Sequence, residues 1–400
     1  MRTMKILYVL EFLPPYVKRE IEVLAEMGHS ITVLMPETSS SGTAWLWNRI
    51  TEPPSGGNVY AFSSIPLRLL NAGFRELTVP ALKGLKHLIT VASLISGEFR
   101  YALAASETAS SLPGSYEPDV IHAHFALDAA HIAGKLSKIL GAPFTVTTHA
   151  TDIFVPRRRD RLERILSKAA AVLTISDFNR SYMAEKGIFS GEAVLCKLGV
   201  PFSTLPERKP AAKATEGICI ASGLAPKKGV GVLLDAMKIL KDESSEISVK
   251  VIGSDPSGII LKQMREKAAG LPVTFTGALS SVETLEAAAS AGFFVLPCVT
   301  APNGDMDGIP VALMEAMAIG IPCISTAVSG VPELVEHRLT GLLAEPGSSK
   351  SLAEMMKTIV TDTSLSEKIT AAGRKKVRAE HDPQKQAEIL TNVFRKVSGK

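Results

Sequence analysis

Asp305-Met-Asp-Gly-Ile-Pro-Val-Ala-Leu-Met-Glu315, continued by Ala316-Met-Ala-Ile-Gly-Ile-Pro322, is the stretch on which the reading of this chain turns. From Val311 onward it is apolar on almost every face of a helix, which marks a buried helix rather than an amphipathic one. Glu315 is its only charge. Burying a carboxylate without partners costs several kcal/mol, so Glu315 must accept hydrogen bonds from something. Pro310 suits the first helical turn and leaves the N–H groups of Val311 and Ala312 at the positive end of the helix dipole, where an anion is favoured. Gly308 lets backbone approach a ligand closely. A ligand with phosphate at the helix start and sugar hydroxyls on the carboxylates would meet both needs.

Asp307, seven intervening residues and Glu315, followed by Ala-Met-Ala, resemble the acidic-x7-Glu motif of the retaining, nucleotide-sugar-dependent glycosyltransferases of family 4, which have the GT-B fold. Asp307-Gly-Ile-Pro-Val311 is similar to the exopolysaccharide, colanic-acid-type branch of that family. The resemblance implies that Glu315 binds the ribose of the donor nucleotide, that Asp307 contacts the transferred sugar, and that Gly308 and Ile309 line the donor side. The alternative is a helix glutamate paired to a distant arginine.

Composition sets the bounds. Four hundred residues predict two or three domains of ordinary size, and 46% hydrophobic with 21% charged residues is ordinary globular composition. A net charge of +4, with no interleaving of basic and aromatic residues, argues against nucleic acid as a partner. Cys196, Cys219, Cys298 and Cys323 are scattered without a Cys-x-x-Cys pair and read as reduced core residues of a cytoplasmic protein. The apolar run at 6–10 is ended by Glu11, too short for a signal peptide, and 88–96 is too short to cross a membrane.

In chain order, a strand at 5–10, a helical pattern at 17–27 stopped by Gly28, and a strand at 30–35 form a βαβ opening and predict a parallel sheet. No G-x-G-x-x-G follows the first strand, which counts against a dinucleotide oxidoreductase. The family carries a Phe-Pro-x-x-Ser-Glu-Thr-Phe turn there; this chain has Leu13-Pro14-Pro15. Around Trp45 and Trp47 a Ser/Gly/Pro-rich loop is expected, with the rings either stacked on sugar or anchored in the core, and helical patterns follow over 65–105.

Strand 119–124, helix 126–140 and strand 144–148 come next. His149 then stands at a strand's C-terminal end, where open parallel sheets bind ligands. His149-Ala-x-Asp152-Ile-Phe resembles the family segment whose histidine lies over the donor sugar, and Asp152 and Tyr16 are assigned to the acceptor side. His122 and His124 share one face of a strand. They either ligate a metal or pack at the strand end, and packing is favoured because no third ligand is apparent. Helix 156–168 is amphipathic with five arginines and Lys168, which suits either a solvated face or an anionic membrane surface.

Residues 204–215, rich in Pro, Ala, Lys and Glu, read as an interdomain linker. After a strand at 218–221 and a loop at 222–226 headed by Ser222, a helix is expected at 227–240, with Lys227 and Lys228 in its first turn. The dipole disfavours cations there, a placement that makes sense if an anion is clamped. The family's Gly-Arg-Leu-x-x-x-Lys-Gly implies an Arg and a Lys on the donor diphosphate; Lys228-Gly229 matches, and Gly223 stands at the Arg position. Gly277-Ala-Leu279 resembles the family's backbone contact to the nucleobase.

The expected architecture is therefore α/β: two doubly wound, Rossmann-like parallel-sheet domains of GT-B type facing a cleft. Residues 1–202 form the acceptor side, 203–380 bind the nucleotide-sugar, and a C-terminal helix within 381–400 crosses back. The expected activity is that of a hexosyltransferase, moving a hexose from a nucleotide-sugar to a polysaccharide or lipid-linked saccharide, with His149, Asp307 and Lys228 at the chemistry. Lys227, Lys228 and helix-start N–H groups would stabilise the departing diphosphate, so no metal or other cofactor is expected, and Asp305-x-Asp307 is not assigned one. The location expected is the cytoplasm, with peripheral contact at the inner face of the membrane. The rival, motivated by Gly223, is a non-catalytic nucleotide-sugar-binding subunit.

Overall fold

The structure is a computed structural model that describes residues 2–38, 45–48, 105–106, 109, 112, 116–155, 159–210 and 213–400. Strands β1 (Lys5–Val9), β2 (Ser30–Thr38), β3 (Trp45–Asn48), β4 (Val120–His124), β5 (Phe144–Thr148), β6 (Ala171–Thr174) and β7 (Val194–Leu195) form one sheet, ordered β3-β2-β1-β4-β5-β6-β7. Only the β2–β3 pairing is antiparallel. Strands β8 (Glu216–Ile220), β9 (Ser248–Ile252), β10 (Val273–Gly277), β11 (Phe293–Val295), β12 (Cys323–Thr326) and β13 (Leu342–Ala344) form a second, all-parallel sheet, ordered β10-β9-β8-β11-β12-β13. The central strands β4 and β5 are short runs buried at every position, as expected where helices cover a parallel sheet on both sides.

These orders fix where ligands belong. In each sheet the strand order reverses once, between β1 and β4 in the first and between β8 and β11 in the second. Loops leaving the C-terminal ends of strands on either side of such a reversal diverge and leave a crevice. Glu11 to Tyr16 follow β1, Phe125 follows β4, the two lysines follow β8, and Asp305 to Gly308 follow β11. Glu11 to Tyr16 with Phe125, and the lysines with Asp305 to Gly308, thus lie at the two switch points, with His149 one strand further along, after β5.

The domains meet along that edge. Gly308 of the second domain leaves room for Ile175 of the first; a Cβ there would come within 3.1 Å of Ile175 Cδ1. Met306 packs against hydrophobic clusters of both domains. Glu333, in the short helix Val331–Leu334, accepts from the N–H groups of Asp177 (3.0 Å) and Phe178 (2.6 Å), the first turn of helix Asp177–Glu185 in the first domain. At the far side, helix Pro383–Ser398 buries Ala387, Leu390 and Phe394 among Met4, Ile6, Tyr8 and Leu24. Val200 donates to the His381 carbonyl and His381 Nδ1 lies 2.8 Å from the Leu198 carbonyl, tying the end of the chain to the connector.

Some local expectations change. The Trp45 segment is a strand rather than a loop, paired antiparallel on the sheet edge; the side chains of Trp45 and Trp47 lie outside the described residues, as do the helical patterns at 65–104 and Arg157 and Arg158 of the basic cluster. The basic helix itself spans Arg159–Leu166 and buries Leu162, Ile165 and Leu166. All four cysteines are free and buried. No helix among the described residues is long and apolar enough to cross a membrane.

Candidate active site

The lysine pair is presented differently from the expected first helical turn. Lys227 and Lys228 end a 3-10 turn, Pro226–Lys228, and the helix starts only at Val230. Gly229 separates the two elements with φ of 68°, and a Cβ there would overlap the Pro297 carbonyl oxygen, so neither the conformation nor the space admits another residue. Had the helix begun at Lys227, its dipole would have opposed both charges. Instead carboxylates hold them. Lys228 Nζ lies 2.6 Å from Asp307 Oδ2, and Lys227 Nζ lies 3.1 Å from Asp305 and 3.5 Å from Asp307. Val299 donates to the Lys227 carbonyl at 2.9 Å, fastening this turn to the chain leaving β11. Burial works against the Lys228 charge, but the Asp307 carboxylate outweighs it and holds the ammonium group above its usual range.

Helix Val311–Ile319 is buried except along one face, where Val311, Ala312 and Glu315 are partly exposed. Pro310 caps it in an extended conformation, one place earlier than the first helical turn, and its carbonyl accepts from Leu313 and Met314. Glu315 answers the opening question in an unexpected way: among the described residues no group donates to its carboxylate, and burial pushes it up to about 7. A carboxylate held at this cost, without a protein donor among the described residues, is a candidate binding group.

In the first domain, His149 ends β5 and is buried. Its ring lies 4.3 Å from that of Phe125, tilted by 31°, and 5.6 Å from the ring of Tyr16; the φ of 71° at Phe125 is a strained left-handed conformation for an aromatic residue. Burial, followed by the nearby His124, keeps the imidazole well below its usual pKa and therefore neutral. Asp152 is not on an acceptor surface: it is fully buried, and its Oδ2 accepts from the N–H groups of His149 (2.9 Å) and Ala126 (2.8 Å). It orients the His149 turn. Tyr16, half-buried in the first turn of helix Pro15–Glu26, reaches both domains' clusters.

The remaining residues expected on the donor side are spread over the second domain. Ser222 and Gly223 are exposed in the turn after β8, and Gly223 has φ of 69° with open space around it. Gly277 ends the edge strand β10 with φ of 80°, its carbonyl taken by the N–H of Gly253, while Leu279 packs on the core. Ile309 is buried at the domain joint, where a Cβ on Gly330 would lie 2.9 Å from it.

Two family models cover most of the chain: the glycosyl transferase 4-like domain matches residues 14–199, and glycosyl transferases group 1 matches residues 203–376. The amylovoran biosynthesis glycosyltransferase AmsK of Erwinia amylovora is 31% identical over 296 residues, covering 70% of this chain and 71% of that protein. This chain belongs to the group 1, GT4-like glycosyltransferases. A GDP-mannose-dependent mannosyltransferase of Mycobacterium tuberculosis H37Rv, acting on phosphatidylinositol monomannoside, is 28% identical over 268 residues, 63% of this chain and 67% of that one. The solved structures share the fold: sucrose-phosphate synthase from Thermosynechococcus elongatus superposes with a TM-score of 0.72 at 19% identity over the full length of both chains. Anabaena HepE in complex with UDP-glucose superposes with a TM-score of 0.67 at 18% identity, over 99% of this chain and 100% of that one.

The glycosyltransferase also uses residues that its sequence did not announce. Glu20 contacts His124 across 104 positions, and Glu333 reaches helix Asp177–Glu185 across 156. Asn179 is fully buried at the joint, beside Gly308, with both amide atoms unpartnered among the described residues. Only Glu20 carried a signal, since a helix position four after Tyr16 faces the same way.

Proposed function

We propose that this GT-B glycosyltransferase, a relative of exopolysaccharide-synthesis enzymes, moves a hexose from a nucleotide-sugar to a polysaccharide or lipid-linked oligosaccharide with retention of anomeric configuration. The observation that carries the reading is the grouping of Lys227 and Lys228 with Asp305 and Asp307 at the second sheet's switch point, beside a helix whose one charge, Glu315, has no protein partner among the described residues. Glu315 takes the ribose hydroxyls, Asp307 the transferred sugar, and the N–H groups at the start of helix Val311–Ile319 face the phosphates. The bond from the sugar's anomeric carbon to the diphosphate oxygen breaks, the acceptor oxygen bonds to that carbon, and the acceptor's proton leaves with the nucleoside diphosphate. Lys228, assisted by Lys227, stabilises the charge that develops on the diphosphate. Gly277 and Leu279 border the base, Ser222 the phosphates. On the acceptor side the neutral His149 faces the sugar, with Tyr16 beside it.

Two cations supplied by the chain make a metal unnecessary in this scheme. The cytoplasm, where nucleotide-sugars are made, is the proposed location, with the basic face around helix Arg159–Leu166 meeting anionic lipid. The test is transfer itself. The enzyme is incubated with a panel of nucleotide-sugars and lipid-linked saccharides, and nucleoside diphosphate release is matched to product, whose anomeric configuration is read by NMR. Equimolar release with donor configuration preserved is expected; inverted product, or hydrolysis alone, contradicts the reading.

A further inference from the structure

A chain of polar side chains, buried except for the partly exposed Glu20, runs up to His149. Tyr8 Oη donates to Glu20 Oε1 at 2.8 Å, the same oxygen lies 2.8 Å from His124 Nε2, and His124 Nδ1 lies 3.1 Å from His149 Nε2. The three segments come from β1 with its following helix and from β4, which border the first sheet's switch point, and from the turn after the neighbouring β5. Each link dictates the next. A carboxylate accepts only, so His124 carries a proton on Nε2; with that as its single ring proton, its Nδ1 is a lone pair and the neutral His149 donates to it from Nε2. The Nδ1 of His149, at the capping position of helix Ala150–Phe154, is left as a lone pair.

Glu20, His122 and His124 also present their ligand atoms within 4.8 Å of one another, which is metal-site spacing. The bonding argues otherwise. His122 Nδ1 lies 2.8 Å from Thr145 Oγ1 and its Nε2 3.2 Å from Thr147 Oγ1, while both nitrogens of His124 are engaged by Glu20 and His149. Every ring nitrogen that a metal would need already has a protein partner.

We propose that Glu20 and His124 are positioning residues for the transfer reaction, a carboxylate–imidazole relay that locks the ring of His149 in one neutral tautomer and one orientation. The inference rests on the reading of His149 as a group facing the donor sugar. The groups that bear on His149 are His124 and His122 from β4, Glu20 and Tyr16 from helix Pro15–Glu26, and Asp152 from its own turn. Of these only Glu20 favours a charged ring, and burial and the two other histidines outweigh it.

The test combines a spectrum with kinetics on the full chain. Long-range proton–nitrogen NMR of protein labelled at its eight histidines reads each tautomer, with His124 and His149 assigned by substitution. In the wild type His149 should be neutral with its proton on Nε2, and His124 should carry a proton on Nε2 that faces Glu20. Glu20→Leu should convert His124 and His149 to mixed tautomers and lower kcat about tenfold or more, with KM for the donor nearly unchanged. Glu20→Gln, which keeps an acceptor oxygen, should restore both. If Glu20→Leu does not fold, His124→Asn read at His149 gives the same comparison. Unaltered tautomers in these variants overturn the relay, as does stoichiometric zinc in the purified protein that is lost with Glu20. Altered tautomers with unchanged transfer overturn instead the assignment of His149 to the reaction.

Discussion

The ammonium group of Lys228 sits 2.6 Å from the carboxylate of Asp307, across the two strands between which the second sheet's order reverses. One partner is the proposed diphosphate clamp and the other the proposed sugar contact, so each neutralises the other until a donor redistributes the charge. Lys227, 3.5 Å from the same carboxylate, provides a partial substitute.

Lys228→Ala should therefore lower turnover more than Lys227→Ala, and the double variant should lose more than either. Removing Lys228 also leaves Asp307 buried beside a more distant cation, costing about 1–3 kcal/mol of stability. Steady-state kinetics and urea titrations of the three variants check both parts. Equal effects of the two lysines would mean that the shorter ion pair has no special place.

Glu315 makes stability depend on pH with a defined sign. Its folded pKa of about 7 lies above the value of 4.5 for a free glutamate, so the folded state binds the proton more tightly than the unfolded chain does. The cost is absent below pH 4.5, grows as pH rises to about 7, and is constant above that. Glu315→Gln should match the wild type near pH 4.5 and exceed it above pH 7 by on the order of 2 kcal/mol. Asp152, also pushed up to about 7 by burial, contributes the same trend in both proteins and cancels. Denaturation curves that stay superimposed at both pH values would mean that Glu315 has a partner after all.

Glu333 fastens the second domain to the start of helix Asp177–Glu185 with two charge-assisted hydrogen bonds. In Glu333→Ala the amides of Asp177 and Phe178 should exchange faster with deuterium, and small-angle scattering should show a larger radius of gyration. Unchanged exchange at these two amides would show that the joint holds without the carboxylate.

Gly223 stands where the family carries an arginine, and its φ of 69° in open space places any side chain there under strain. Gly223→Arg is expected to lower the melting temperature and leave transfer no faster. A wild type that binds nucleotide but transfers nothing, with Gly223→Arg restoring transfer, would establish the binding-subunit alternative.

The sequence made some of this legible and hid the rest for physical reasons. Period and run length disclosed the strands, because a strand buried on both faces must be a short apolar run, and the lone charge of Glu315 in an apolar helix stood out for the same reason. The helix start was misplaced by three residues: Gly229 reads as a helix residue until Pro297, in the chain leaving β11, approaches it. Asp152 looked like a site residue because it follows His149, yet what decides its role is the Ala126 amide beside it, 26 positions away. Glu20, Glu333 and Asn179 acquire meaning only from long-range contact, and no local pattern encodes that.

Donor binding tests the central claim most directly. Thermal denaturation of the wild type and of Glu315→Ala is followed across a panel of nucleoside diphosphates and nucleotide-sugars. At 100 times its dissociation constant the correct nucleotide should stabilise the wild type by ~2.7 kcal/mol, and this response should be lost in a folded Glu315→Ala protein. A wild type that responds to none of them, or two proteins that respond alike, would contradict the assignment of this site to a nucleotide-sugar.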